Sequence, residues 1–288
     1  MKLKKNELRM AFFGTPDFAT YVLQELRKAS LLPLLVVTQP DKPRDRGLEV
    51  KAPAVKEWGY EHEIPVLQPD NFSEESPDME MLWNSEWDLF VVAAYGKFLP
   101  KDILNLPRFG ALNVHPSLLP KFRGPSPIES AIREDEKETG VSIILLDEEP
   151  DHGPILAQAS IIPEPWPFKR SALEDLLWHA GGELLAEAVP PYVQGTLKPV
   201  PQDHSKATFT QKLKKEDGLI DLRDDGYKNY LKFCAYEGWP GTFFFEKRNG
   251  KEMRVKIIDA KYEDGKFIPL RVIPEGKKEI NYEIFNVI

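Results

Sequence analysis

Asn113, His115 and Asp151 are the residues of this chain whose types and spacing could do chemistry together. The first two stand two apart in Ala111-Leu112-Asn113-Val114-His115-Pro116-Ser117-Leu118-Leu119-Pro120, and an extended chain sends such residues to the same face. Pro116 cannot donate a ladder hydrogen bond, so the strand should stop there and leave both groups at its C-terminal edge. In an open α/β sheet that edge is where ligands bind. Asp151 follows in Pro150-Asp151-His152-Gly153-Pro154. An amide, an imidazole and a carboxylate with no Ser or Cys nucleophile beside them suit direct attack by a substrate amine on a carbonyl. The developing oxyanion needs fixed donors, and an amide or a protonated imidazole supplies one, each worth roughly 3–4 kcal/mol. A carboxylate beside an imidazole favours its charged, donating form, and it can also relay a proton from the amine. Plainer roles stay open for each residue: a hydrogen-bonded structural histidine, an Asn that caps a turn, an Asp that makes one.

Other chemistries find less support. Phe13-Gly14-Thr15-Pro16-Asp17-Phe18 has one glycine where a dinucleotide-binding fingerprint needs three, so the backbone cannot approach a pyrophosphate closely. There is no Walker A sequence. The single cysteine, Cys234, excludes an internal disulfide and a cysteine-based zinc site, and the five histidines show no metal-ligand spacing, so no metal is expected. No run approaches a membrane-spanning length, and a soluble, cytoplasmic monomer is expected.

Elements that could position the trio alternate along the first part of the chain. Apolar runs at 9–16, 34–38, 64–66, 88–94, 110–115 and 141–146 read as strands. The run at 88–94 is continuous rather than alternating, as a strand of a parallel sheet must be. Helical spacing covers 17–29, with Phe18, Val22, Leu23 and Leu26 on one face, and recurs at 79–86, 126–134 and 171–189. Gln39 to Pro53 reads as a Pro-rich, charge-mixed loop, and Pro190-Pro191 should end the last helix. Strands alternating with helices give an α/β class with a mostly parallel sheet. Beyond about residue 205 short strands at 241–246, 253–260, 266–272 and 283–288, with Asn249-Gly250 and Asp264-Gly265 turns, indicate a small β-rich domain. The net charge of −8 argues against a nucleic-acid partner, yet residues 203–288 carry 17 Lys+Arg against 15 Asp+Glu while 1–202 carry 21 against 31. An anionic partner for the C-terminal part and two ordinary solvated surfaces are both compatible with that balance.

The chain resembles the 10-formyltetrahydrofolate-dependent formyltransferases, and among them the methionyl-tRNA formyltransferase family. The resemblance runs in order through Phe13-Gly14-Thr15-Pro16-Asp17-Phe18-Ala19, Thr38-Gln39-Pro40-Asp41-Lys42-Pro43, Val92-Ala93-Ala94-Tyr95-Gly96 and the Asn113 to Pro120 stretch. It continues through Arg123-Gly124-Pro125-Ser126-Pro127-Ile128, Thr139-Gly140-Val141-Ser142-Ile143, Asp151-His152-Gly153-Pro154-Ile155-Leu156 and Thr208-Phe209-Thr210-Gln211-Lys212-Leu213. It implies a Rossmann-like catalytic domain at 1–189, a linker at 190–206 and an OB-like β-barrel at 207–288 that helps orient tRNA. It implies 10-formyltetrahydrofolate as co-substrate and initiator Met-tRNA as acceptor. By position Asn113, His115 and Asp151 take the catalytic roles. Ser117, Leu118, Leu119 and Pro120, with Tyr95 and Gly96, take the folate site. The loop with Lys42, Arg44, Arg46 and Lys51 takes the tRNA contact, although Leu48-Glu49 stands where many relatives carry further basic residues. Formyl transfer to an amino-sugar nucleotide or to glycinamide ribotide, and hydrolysis of the same folate, remain the alternatives.

Overall fold

The computed structural model describes residues 8–44, 49–74, 76, 79–248 and 250–287. Met10–Gly14 (β1) is apolar and buried along its whole length, the signature of a strand covered on both faces. Asp17–Lys28 (α1) follows and turns Ala19, Val22, Leu23 and Leu26 inward. Next come Leu35–Val37 (β2), the short strands Lys42–Arg44 (β3) and Glu49–Lys51 (β4), Ala54–Glu61 (α2) and Val66–Leu67 (β5). Glu80–Trp83 (α3), the buried strand Leu89–Ala93 (β6), Lys101–Leu104 (α4) and Ala111–His115 (β7) lead to the residues of interest. Pro127–Arg133 (α5), Thr139–Leu145 (β8), Ile155–Ile161 (β9) and Arg170–Val193 (α6) complete this part of the chain. The remainder holds Gly226–Ala235 (α7), Thr242–Arg248 (β10), Lys251–Glu263 (β11), Lys266–Pro274 (β12), Ile280–Asn281 (β13) and Tyr282–Val287 (α8).

The chain folds into two compact units. The first takes Met1–Arg123, Gly140–Ser160 and Asp175–Thr208, and its sheet has the strand order β5-β2-β1-β6-β7-β8-β9. Neighbours from β5 through β7 are parallel, and β8 runs antiparallel to β7. The expected mostly parallel α/β sheet is therefore present. From β1 the chain builds outward through β2 to β5, then returns to the other side of β1 with β6 and β7. That reversal makes the C-terminal ends of β1 and β6 a topological switch point, the place where such sheets take ligands, with β7 the next strand beside β6. Phe13, Phe90, Leu35, Val37 and Tyr95 fill the core on one side of these strands. On the other side α6 approaches closely: a Cβ at Gly181 would lie 2.6 Å from Cγ1 of Val114.

The second unit takes Gly124–Thr139, Ile161–Glu174 and Phe209–Ile288. Its sheet is an antiparallel meander, β10-β11-β12-β13, with α7 contacting β11 and β12. The β-rich expectation holds for its C-terminal part.

Several expected boundaries differ. The helix expected to end at 189 runs through Pro190 and Pro191 to Val193. A proline in the last turn removes only its own N–H, and the Tyr192 hydroxyl donates to the Phe109 carbonyl at 2.7 Å, fixing that turn. The stretch 190–206, linker-like in composition, belongs to the first unit, where Val200 and Ile155 exchange backbone hydrogen bonds of 2.7 and 2.8 Å. Segments 124–139 and 161–174 of the span expected to be the catalytic domain belong to the second unit. The strand expected at 283–288 is the helix α8 as far as Val287, with Ile288 outside the described residues. Tyr282 and Phe285 share a helical face there and stack at 6.2 Å, with Phe244 against both.

Candidate active site

Asn113 and His115 close β7. Asn113 lies in register with Val92 of β6 and Ile144 of β8, and His115 with Ser142. The strand stops where Pro116 intervenes, and the Ser117 N–H turns back to the His115 carbonyl at 2.8 Å. Among its buried neighbours on β7, Asn113 alone keeps partial exposure. Its side-chain amide makes no hydrogen bond among the described residues, so its donors are open.

The His115 ring is 4% exposed and sits between two oxygens. Nε2 is 3.0 Å from the Phe122 carbonyl, and Nδ1 is 3.4 Å from Oδ1 of Asp151. The first is within hydrogen-bond distance, and the second is an ion-pair approach. His115 and Asp151 are thus brought within 3.4 Å of each other, and Asn113 stands two residues before His115 on the same strand with its amide donors open, while both nitrogens of His115 face oxygens.

Asp151 sits in the loop between β8 and β9 with φ of +50°, a left-handed conformation that costs a non-glycine residue of order 1 kcal/mol or more. Gly153 lets this loop close against β8, since a Cβ there would collide with the Leu145 carbonyl. Gln202, 6% exposed, donates from Nε2 to the carbonyls of Asp151 at 2.9 Å and Gly153 at 2.7 Å. Its Oε1 accepts from Nε and Nη2 of buried Arg123 at 3.1 and 2.6 Å. Among the described residues no group of three or more His, Cys, Asp and Glu side chains is arranged to hold a metal ion.

The stretch Ser117 to Pro120 forms the turn beyond β7. Ser117 and Leu119 are buried: the Ser117 hydroxyl donates to the Lys121 carbonyl at 2.7 Å, and the Leu119 N–H donates to the Ser142 hydroxyl at 3.0 Å. Leu118 and Pro120 are the members left half-buried and accessible.

Tyr95 differs from its expected pocket-lining place. Its side chain is 1% exposed, edge-on to Phe13 at 5.7 Å, and its hydroxyl has no hydrogen-bond partner. Burial pushes the phenol's pKa up. What Tyr95 offers the site edge is its carbonyl, which accepts from Oγ1 of Thr15 at 3.0 Å and Nε2 of Gln39 at 2.8 Å. Gly96, with φ of +79°, leaves room for that Gln39 amide, which would stand 2.5 Å from a Cβ. Tyr95→Phe should therefore stabilise the protein by about 1 kcal/mol in urea unfolding, because it removes a buried hydroxyl without a partner. Equal or lower stability would show that the hydroxyl is not buried without a partner.

The loop expected to contact tRNA is the hairpin β3–β4, with Lys42 opposite Lys51 and Pro43 opposite Val50. Pro43 hid it from a strand reading, yet a two-stranded ribbon has open edges that tolerate a missing N–H. Lys42 and Val50 are exposed. The hairpin's base is tied down, since Lys56 and Gln68 both reach the Asp41 carboxylate, at 2.7 and 2.6 Å at their closest. The Gln68 amide, first, and the Lys56 ammonium hold that carboxyl below its ordinary pKa. Arg46 lies outside the described residues.

Residues 8–189 match the formyl transferase family. The chain is also 41% identical over 266 residues to the methionyl-tRNA formyltransferase of Chloroflexus aurantiacus, covering 92% of this chain and 84% of that one. The chain belongs to the formyl transferase family. Two solved structures show the same fold for this formyl transferase across both units. The methionyl-tRNA formyltransferase from Clostridium thermocellum superposes with a TM-score of 0.57 at 18% identity, covering 95% of this chain and 99% of that one. An N-formyltransferase from Helicobacter canadensis, solved with folinic acid and dTDP-3-aminofucose, gives 0.63 at 14% identity, covering 95% and 98%.

Three residues of this formyl transferase site escaped a reading by type and spacing. Gln39 and Arg123 sit within the motif stretches but carry no pattern that separates a structural amide or guanidinium from an exposed one. Gln202 lies between Pro201 and Asp203, in a stretch whose composition signals only a linker. Each acts through contacts distant in sequence, for which local periodicity has no signal.

Proposed function

We infer that this chain transfers the formyl group of 10-formyltetrahydrofolate to the α-amino group of methionine on initiator tRNA, acting in the cytoplasm as a monomer. The observation that carries this reading is the open Asn113 amide beside the His115–Asp151 pair, at the C-terminal edge of the sheet, in a chain 41% identical to a methionyl-tRNA formyltransferase. The methionyl amine attacks the formyl carbon, and its carbonyl oxygen becomes an oxyanion. Asn113 donates an N–H to that oxygen. His115, two residues on along the same strand, stabilises the same oxyanion. Asp151 takes the proton that the amine loses, directly or through a water molecule. The carbon–nitrogen bond to the folate then breaks, and the folate nitrogen leaves with a proton. Leu118 and Pro120, with the backbone at Tyr95 and Gly96, flank the place for the folate. Ser117 and Leu119 hold the turn that presents it.

The hairpin β3–β4, which carries Lys42 and Lys51, contacts the tRNA phosphates, and by the family resemblance Arg44 and Arg46 of the same stretch share that role. Replacing Lys42 and Lys51 by Ala should weaken tRNA binding at low salt and lower the slope of log affinity against log salt by about 0.7–0.9 for each phosphate that is no longer neutralised. An unchanged slope, measured by filter binding across a salt series, would remove the hairpin from the interface.

The reading is tested by formyl transfer from 10-formyltetrahydrofolate with charged initiator tRNA, elongator Met-tRNA and no tRNA side by side. Formylation confined to the initiator is the expected result. Folate turnover without tRNA would assign the site to hydrolysis, and formylation of an amino-sugar nucleotide or glycinamide ribotide would assign another amine.

A further inference from the structure

Both ring nitrogens of His115 face acceptors that belong to different loops. Nε2 meets the carbonyl of Phe122, in the loop after β7, and Nδ1 meets the carboxylate of Asp151, in the loop after β8. Both backbones are in unusual conformations, with φ of +61° at Phe122 and +50° at Asp151. Left-handed backbone of this kind persists only where the surroundings fix it. One buried pair, Arg123 and Gln202, links the two loops. Arg123, the residue after Phe122, places Nε and Nη2 on Oε1 of Gln202. The same Gln202 uses its Nε2 donors on the carbonyls of Asp151 and Gly153. The Phe122 side is further secured by Thr208, whose hydroxyl accepts the Phe122 N–H at 2.8 Å and whose carbonyl accepts the Arg123 N–H at 2.9 Å.

We propose that Gln202 is a positioning residue for the transfer step: with Arg123 it fixes the spacing of the two loops whose oxygens hold His115. The proposal rests on the roles inferred above for His115 and Asp151. The amide is suited to the task because it needs both of its ends. The oxygen accepts from a guanidinium, a charge-assisted bond that stays short, and the nitrogen's two hydrogens reach two carbonyls of the Asp151 loop. All of these groups are buried or nearly so, which makes a missing partner costly and the arrangement rigid. His204 completes the rim, with its Nδ1 2.9 Å from Nη2 of Arg123 and its ring stacked on His152 at 4.2 Å. The residue that follows Asp151 is thereby tied to the same guanidinium.

The decisive variants are Gln202→Glu, which keeps acceptors for Arg123 and removes both donors, and Gln202→Met, which removes both functions at similar size. Each is assayed in the full chain for formyl transfer, beside Asp151→Asn. The expected result is a fall in kcat of about 10- to 100-fold with the Michaelis constants for folate and Met-tRNA nearly unchanged, as misplacement of a catalytic group by a fraction of an ångström produces. The ring signals of His115 in a ¹⁵N-histidine NMR spectrum should shift, while those of His62 and His179 stay in place. A full kcat in Gln202→Glu, or a loss that appears equally in both Michaelis constants, overturns the proposal. If Gln202→Met does not fold, Gln202→Glu carries the test. If Asp151→Asn keeps full turnover, the inferred role of Asp151 fails instead; if it loses turnover while Gln202→Glu does not, only the positioning role fails.

Discussion

Asp151→Asn should lower the turnover of formyl transfer by about 10²–10⁴-fold, the range for loss of a positioned proton acceptor, and leave Met-tRNA affinity within a factor of about two. The asymmetry follows from where the carboxylate stands. Its Oδ1 is 3.4 Å from Nδ1 of His115, and its side chain is 15% exposed, enough for a substrate amine or one water molecule to reach it. Exchange of one oxygen for NH₂ keeps the shape and takes away the charge. The nitrogen of His115 that faced a carboxylate then faces a weaker acceptor, or a competing donor, and the imidazole loses the negative charge beside it. Both the proton transfer and the stabilisation of the oxyanion suffer in the transition state, whereas contacts with the body of the tRNA do not involve this group. Steady-state kinetics with initiator Met-tRNA, and tRNA binding measured without folate, separate the two. Unchanged turnover would take Asp151 out of the chemistry. A loss of tRNA affinity matching the loss of rate would make it a binding residue.

How much of this could be read from residues alone depended on the range of the interactions. Strands β1 and β6 were legible because a strand covered on both faces must be a continuous apolar run, and little else gives that pattern over five residues. The end of β7 was legible from Pro116, and the pairing of Asn113 with His115 from the period of an extended chain. The approach of His115 to Asp151 was expected from the family resemblance, whereas the pattern alone left plainer roles open, and its tether had no signal at all. A buried Gln between Pro201 and Asp203 has no local mark that sets it apart from a solvated one, and its partners Arg123, Asp151 and Gly153 lie far off in sequence. Tyr95 was placed at the folate site by the resemblance alone, and burial is not legible there: the ring is packed edge-on to Phe13, while the carbonyl accepts from Thr15 and Gln39. The hairpin β3–β4 was hidden by Pro43 and by the short length of its strands, and α8 by an apolar alternation that serves a helix face equally well.

Asn113→Ala should cost about 100- to 1000-fold in kcat, roughly 3–4 kcal/mol of transition-state stabilisation, with little change in stability or in either Michaelis constant. The small structural cost follows from the absence of any hydrogen bond to its amide among the described residues and from its partial exposure on an otherwise buried strand. A half-exposed side chain with no partner contributes at most a few tenths of a kcal/mol to folding. The large kinetic cost follows from what else is available. In His115, Nε2 faces the Phe122 carbonyl and Nδ1 faces Asp151, so without Asn113 the oxyanion has no free side-chain N–H from the trio. The formyl oxygen in the ground state is a weak acceptor and becomes a strong one only as the amine adds, so the bond to Asn113 tightens in the transition state and barely affects binding. Asn113→Asp should be slower still than Asn113→Ala, because it sets a negative charge where one develops. Single-turnover rates at saturating folate and Met-tRNA decide the matter. If the Asp and Ala variants lose rate equally, Asn113 shapes the site rather than donating to the oxyanion, and if a raised Michaelis constant accounts for the whole loss, the amide binds substrate without favouring its transition state.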